Sequence, residues 1–193
     1  QGCVLSIGNF DGVHTGHHVV INKLAEKGKL LGLPVVLMVF EPQPLEFFLK
    51  DNAPSRLTRL REKIIHLDSV PVDDLVIVNF NQSFANLDPE YFIQEILVKQ
   101  LNIQYLVVGD DFHFGKARRG NFGLLQEAGK KQGFKVTDTA SFLVKGMRVS
   151  STQIRDALSN GDLVKAESML GRPYSVCGKV VHGDKLGRQI GFP

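Results

Sequence analysis

The chain has 193 residues, of which 43% are hydrophobic and 22% charged, with a formal net charge of +3. That length holds one domain of about 150 residues and part of another, and the composition is that of an ordinary soluble globular protein. The small charge gives no reason to expect nucleic acid and is satisfied by anionic small molecules; no apolar run approaches the ~20 residues that cross a membrane.

Cys3 and Cys177 are too few and too far apart for a disulfide framework, which suits a reducing, cytoplasmic compartment. The N-terminus also lacks the charged-then-apolar plan of a signal peptide.

The first predicted element is a buried strand at Cys3 to Ile7, followed by a helix with apolar spacing from Gly16 to Leu31. Between them, Gly8 and Gly12 permit a tight turn. His14 and His17 stand three residues apart at the helix entrance, where free N–H groups and the dipole favour a phosphate. Imidazoles there can donate to charge that builds as a phosphoanhydride breaks. Gly16 between them is expected to let a triphosphate approach the backbone. Zinc is a poor alternative, because no second Cys or His pair completes a ligand set.

A second strand is predicted at Val35 to Phe40, and the following Glu41, Pro42, Gln43 and Pro44 make a stiff loop. Its aromatic neighbours either stack on a planar ring or merely cover the sheet end; the residues leave both readings open. Arg56, Arg59, Arg61 and Lys63 read as a solvated helix face. A third strand is predicted at Leu75 to Phe80, then a helix with Asp88 as N-cap and Pro89 in its first position. A fourth strand, Tyr105 to Gly109, delivers Asp110, Asp111, His113 and Lys116 to the same rim. This is not a P-loop, since the glycine spacing is one residue too long and Ala117 stands where Ser or Thr should hold magnesium. Lys116, Arg118 and Arg119 either steer anions or form a solvated face.

A helix follows at about Asn121 to Gln132, and another after Ser151. Ser150, Ser151 and Thr152 at its start supply an N-cap at the least. With Arg155 in the first turn, they also make a second anion cradle complementary to the histidines. Near Gly171 the helical periodicity stops, and Ser175 to His182 alternates like a strand of an antiparallel barrel. The expected division, within about four residues, is a first domain of residues 1–171 and an incomplete second one of residues 172–193. Strands alternating with helices predict an α/β fold with a doubly wound parallel sheet and ligands at the carboxyl ends of its strands.

Taken together, four segments resemble the bifunctional bacterial riboflavin kinase/FAD synthetase family. They are I-G-N-F-D-G-V-H-x-G-H at Ile7 to His17, F-E-P-x-P at Phe40 to Pro44, G-D-D-F-x-F-G at Gly109 to Gly115, and S-S-T-x-I-R at Ser150 to Arg155. The stretch Leu170 to Pro193 resembles the start of the family's kinase module. The resemblance implies a Rossmann-like nucleotidyltransferase that uses ATP and Mg2+ to adenylylate FMN, yielding FAD and pyrophosphate. It also implies a C-terminal β-barrel domain, in the longer protein, that phosphorylates riboflavin.

On that resemblance His14 and His17 contact the ATP phosphates. Gly8, Asn9, Phe10, Asp11, Gly12 and Gly109 join the ATP site, Ser150, Ser151, Thr152 and Arg155 hold the pyrophosphate end, and Asp111 lies by the reacting groups. Phe40, Glu41, Pro42 and Pro44 would hold the flavin, while Gly183, Gly187, Arg188 and Gly191 belong to the kinase module. No dedicated metal ligand is implied. His18 departs from the family pattern, the usual short lead-in is absent, and the sequence stops at Pro193, before the family's Thr-Ala-Asn. Two other readings stand beside this one: adenylylation of a different phosphomonoester, and a non-enzymatic flavin or nucleotide carrier, against which both retained histidines argue.

Overall fold

The computed structural model describes residues 2–139, 149–179, 181, 183–184 and 186–191. Residues alternate between two faces along the central strands, and both faces are apolar. Cys3, Leu5 and Ile7 of β1 (Cys3–Ile7) enter one core with Val36, Met38 and Phe40 of β2 (Val35–Glu41). Val4 enters the other with Val35, Leu37 and Val39. Such burial on both sides belongs to a parallel sheet covered by helices. β3 (Asp74–Asn79), β4 (Ile103–Val108) and β5 (Lys135–Asp138) complete it, all parallel, in the order β3-β2-β1-β4-β5.

One core receives α1 (Thr15–Leu31) through Val20, Ile21 and Leu24. The other receives Phe92, Ile93 and Leu97 from a π-helical segment (Phe92–Gln100) that continues α5 (Pro89–Tyr91). Shorter helices are α2 (Pro44–Leu49), α3 (Leu60–Leu67) and α4 (Gln82–Ala85). They are followed by α6 (Phe122–Gln132), α7 (Ser151–Ser159), α8 (Leu163–Leu170) and α9 (Leu186–Gln189). A third apolar cluster of Leu57, Ile154 and Leu170 fastens α7 and α8 to the loop before α3.

The order of strands reverses direction between β1 and β4. Open parallel sheets bind ligands in the crevice at that point, and both glycine-bearing motifs emerge there, after Ile7 and after Val108.

Two expectations need correction. Residues 175–179 and 181 form no strand, although their alternation resembles one. Their apolar side chains are not buried by any described residue: Val176 and Val181 are exposed, like Leu186 and Ile190 nearby. β5 escaped the pattern because it is a four-residue edge strand with a single large apolar residue, Val136.

Candidate active site

The loop from Gly8 to His14 is backbone that ordinary residues avoid. Phe10, Gly12 and Val13 have φ of 46°, 83° and 41°, a region costing about 1–2 kcal/mol for each residue with a Cβ. Side chains from distant elements hold it there. Lys63 Nζ donates to Asn9 O at 2.6 Å, Ser151 Oγ to Asp11 O at 3.0 Å, and Arg172 to Gly12 O and Val13 O at 2.6 and 3.0 Å. His18 Nε2 also donates to Val13 O, at 3.1 Å.

Asp11 points the other way, into the protein. Only 2% exposed, its carboxylate accepts from the Leu57 and Thr58 N–H groups at 3.1 Å and from Arg155 Nη2 at 2.6 Å. It therefore shapes the site from behind, where the family pattern counts it among the ATP contacts. Arg155 is correspondingly tied down, its Nε donating to Ser55 O at 2.6 Å.

His14 and His17 cap α1 for each other. The His17 N–H donates to His14 Nδ1 at 3.3 Å, and the His14 N–H donates to His17 Nδ1 at 3.2 Å, a reciprocal capping box built from imidazoles. With both Nδ1 atoms accepting, each neutral ring carries its proton on Nε2. The rings stack with centroids 3.6 Å apart and planes at 17°.

Burial, then the neighbouring His18, pushes His14 down to about 4, against an opposing pull from Asp11. Burial, then His14 and Lys63, holds His17 well below the usual histidine range. The pair is thus a fixed set of two neutral Nε2–H donors at a helix N-terminus, able to stabilise negative charge without the trapping strength of a cation.

A side chain at Gly16 would be crowded by the protein itself, whatever a triphosphate needs there. A Cβ there would sit 3.1 Å from the His14 ring and 3.2 Å from Val149 O. The absent side chain lets the ring and the start of α7 close in. Ser150 caps α7 by accepting from Gln153 N at 3.3 Å, and Ser151 reaches the Asp11 carbonyl, so the start of α7 lies beside the loop that leads into α1. Thr152 is exposed beside them, and Arg148 lies outside the described residues.

The loop after β2 divides. Phe40 is 6% exposed and packs edge-on to Phe80 at 5.7 Å, which makes it core rather than a flavin contact. Glu41 and Glu46 are both bound by Arg56, whose Nη2 reaches Glu41 at 2.7 Å; Pro42 and Pro44 remain partly exposed. Gln43 is buried, and its Nε2 has no hydrogen-bond partner among the described residues. Phe48, 58% exposed, extends the aromatic cluster of Phe47 and Phe80 outward.

At the end of β4, a Cβ on Gly109 would fall 2.7 Å from Asp111 Oδ1, the tip of an exposed side chain that can turn away. Asp110, Asp111 and His113 are exposed.

Sequence reasoning missed Arg56 and Lys63. Arg59 and Arg61 are exposed as expected, but Lys63 is 1% exposed, and burial lowers its affinity for a proton. The signal was present: Lys63 follows Glu62 inward on α3, in step with Leu67 four residues on. Gly183, Arg188 and Gly191 are exposed, with Gly187 and Arg188 in α9; His182, Lys185, Phe192 and Pro193 lie outside the described residues.

A family model described as FAD synthetase matches residues 1–153, and one described as riboflavin kinase matches residues 170–193. The chain belongs to the FAD synthetase family. It is 53% identical over 193 residues to the bifunctional riboflavin kinase/FMN adenylyltransferase of Escherichia coli (strain K12), covering 100% of this chain and 62% of that relative. The Haemophilus influenzae protein of the same name is 50% identical over 193 residues, with 100% and 63% covered. The chain thus spans a little over three-fifths of the length of these curated relatives. A solved structure described as a macrolide-efflux protein from Streptococcus pneumoniae superposes with a TM-score of 0.75 at 26% identity, over 100% of this chain and 62% of that one. The five-stranded parallel α/β sheet seen here is consistent with a Rossmann-like nucleotidyltransferase fold.

Proposed function

We propose that the site transfers AMP from ATP to FMN, giving FAD and pyrophosphate. The observation that carries this reading is the reciprocal capping of His14 and His17, which engages both Nδ1 atoms and leaves two Nε2–H donors outside the cap, at the helix start that follows β1. An FMN phosphate oxygen attacks the α-phosphorus, the bond to the β-phosphate oxygen breaks, and pyrophosphate leaves with that electron pair. No covalent enzyme intermediate and no obligatory proton transfer are needed. The chain's contribution is positioning and charge stabilisation. His14 and His17 donate to the phosphates, the N-terminus of α7 with Thr152 receives the pyrophosphate end, and Arg155 offers its remaining guanidinium edge.

Mg2+ would enter with the triphosphate. No group of three His, Cys, Asp or Glu side chains able to hold a metal occurs among the described residues. Magnesium, however, needs only one or two carboxylates when phosphates and water supply the rest. Asp111, exposed at the end of β4, fits that part, and the ion would neutralise phosphate charge when bound. On the flavin side, the unpartnered Gln43 amide, Pro42, Pro44 and the exposed Phe48 offer a donor and apolar walls.

The division into residues 1–171 and 172–193 is supported by α7 and α8 packing against the first unit, and the riboflavin kinase match supports a second activity, FMN formation from riboflavin. Two free cysteines suit the cytoplasm, and no described helix is long and apolar enough to cross a membrane. Small molecules, rather than nucleic acid, are the expected partners.

The test is to mix the protein with ATP, Mg2+ and FMN and follow FAD and pyrophosphate by chromatography. Equimolar appearance of both is expected. Pyrophosphate release with a different phosphomonoester and none with FMN would reassign the acceptor, and tight flavin binding without turnover would make the protein a carrier.

A further inference from the structure

Arg172 stands in the stretch that matches riboflavin kinase, yet its guanidinium is bound elsewhere. Nη2 donates to Gly12 O at 2.6 Å and Nη1 to Val13 O at 3.0 Å, across 160 and 159 residues of sequence. No carboxylate pairs with it among the described residues, so this cation is held chiefly by the carbonyls of one loop. Those two carbonyls bracket the peptide that leads into His14, where backbone with φ of 83° and 41° must be kept in place. Without Arg172, Val13 O would keep only His18, and Gly12 O would have no donor among the described residues.

Five residues on, Cys177 N donates to Glu62 Oε1 at 2.8 Å. Glu62 adjoins Lys63, which holds Asn9 O at the other end of the same loop. The stretch after α8 is thus fastened twice, once to the histidine loop and once to the helix that supports that loop.

We propose that Arg172 is a positioning residue for adenylyl transfer, fixing the Gly12–Val13 backbone so that the His14–His17 pair faces the phosphates. It thereby ties the placement of that pair to the segment where the riboflavin kinase match begins. The proposal rests on the reaction assigned above, and its test separates the two.

In the intact protein carrying this sequence, three quantities are compared for wild type, Arg172→Ala and Arg172→Lys. They are kcat and KM for ATP in FAD formation, amide hydrogen exchange of residues 9–17, and the melting temperature. Arg172→Ala is expected to lower kcat about 10- to 100-fold, the scale of an ångström-sized misplacement, with KM for ATP within about threefold of wild type. Exchange at the Val13, His14 and His17 amides should accelerate, because their partners are Phe10 O and the two Nδ1 atoms. Arg172→Lys keeps a donor for one of the two carbonyls and is expected to recover part of both effects. If Arg172→Ala fails to fold, Arg172→Lys alone decides by the same readouts.

A kcat within about twofold of wild type, a loss confined to KM, or unchanged loop exchange would overturn the proposal. If the wild-type protein forms no FAD, the assigned reaction fails, while the exchange data still decide whether Arg172 holds the loop.

Discussion

Two loops leave the carboxyl ends of neighbouring strands, and they are built in opposite ways. The loop after β1 is held by Lys63, Ser151, Arg172, Thr58 and the buried Asp11, in contacts that span 46 to 160 residues. The loop after β4 is held mostly by local bonds around its carboxylates: Phe112 N donates to Gly109 O, Asp111 N to Asp110 Oδ1, and His113 Nδ1 meets Asp111 O at 2.7 Å, while a distant partner, Leu87 O, is met only at its far end by Lys116 N. The first is cross-linked without any substrate, which on the reaction proposed here suits groups that must match a transition state. The second keeps its carboxylates in water, where, on the same reaction, they would adapt to an incoming metal-bound phosphate.

The largest effect expected from this contrast is at His17. His17→Ala should lower kcat for FAD formation about 10²–10³-fold, as when one fixed donor to developing charge is removed. Asp111→Ala should cost clearly less at saturating Mg2+. Steady-state kinetics on both variants checks this, and equal losses would erase the distinction between the two loops.

Asp11→Asn sharpens the contrast from the side of stability. The amide cannot match two backbone donors and a guanidinium, and Arg155 would lose its partner, so about 3 kcal/mol should be lost, or roughly 6–12 °C in Tm. A calorimetric shift of less than a few degrees would show that the loop stands without its buried carboxylate.

The smallest expected effect is in pH dependence. His14, His17, His18 and His66 all lie below their usual value in the folded protein, His14 at about 4, with burial the main cause. As pH falls from about 6.5 the unfolded chain takes up protons that the folded one refuses, so stability declines toward pH 4. Glu46 and Glu62, lowered chiefly by hydrogen bonds from Arg56 and from the Arg59 backbone, add losses only as pH falls through the carboxylate range. Thermal melts between pH 7 and 5 therefore isolate the histidines, and replacing His14 with Asn should flatten the slope.

The sheet was legible because its central strands are buried on both faces and read as unbroken apolar runs. β5 was not, since an edge strand such as Lys135–Asp138 needs little apolar character. The histidine motif announced itself through glycine spacing and a strand before it. What the sequence concealed was direction. Asp11 and Phe40 sit inside conspicuous motifs but face the interior, whereas Lys63, in a charged run that resembled surface, is buried and holds the loop at Asn9 O. Arg172 was hidden by distance, because nothing near it in sequence hints that its partners lie at residues 12 and 13.

The shared cap of α1 also sets opposing selective pressures on one position. Serine, aspartate or asparagine at residue 14 would be a more usual N-cap than an imidazole, and each would remove a donor from the reaction proposed here. A search that rewards heat resistance alone would drift toward such replacements and toward silence, since helix and chemistry ask for different residues at that site. If the proposed reaction holds, His14 is a compromise between the two.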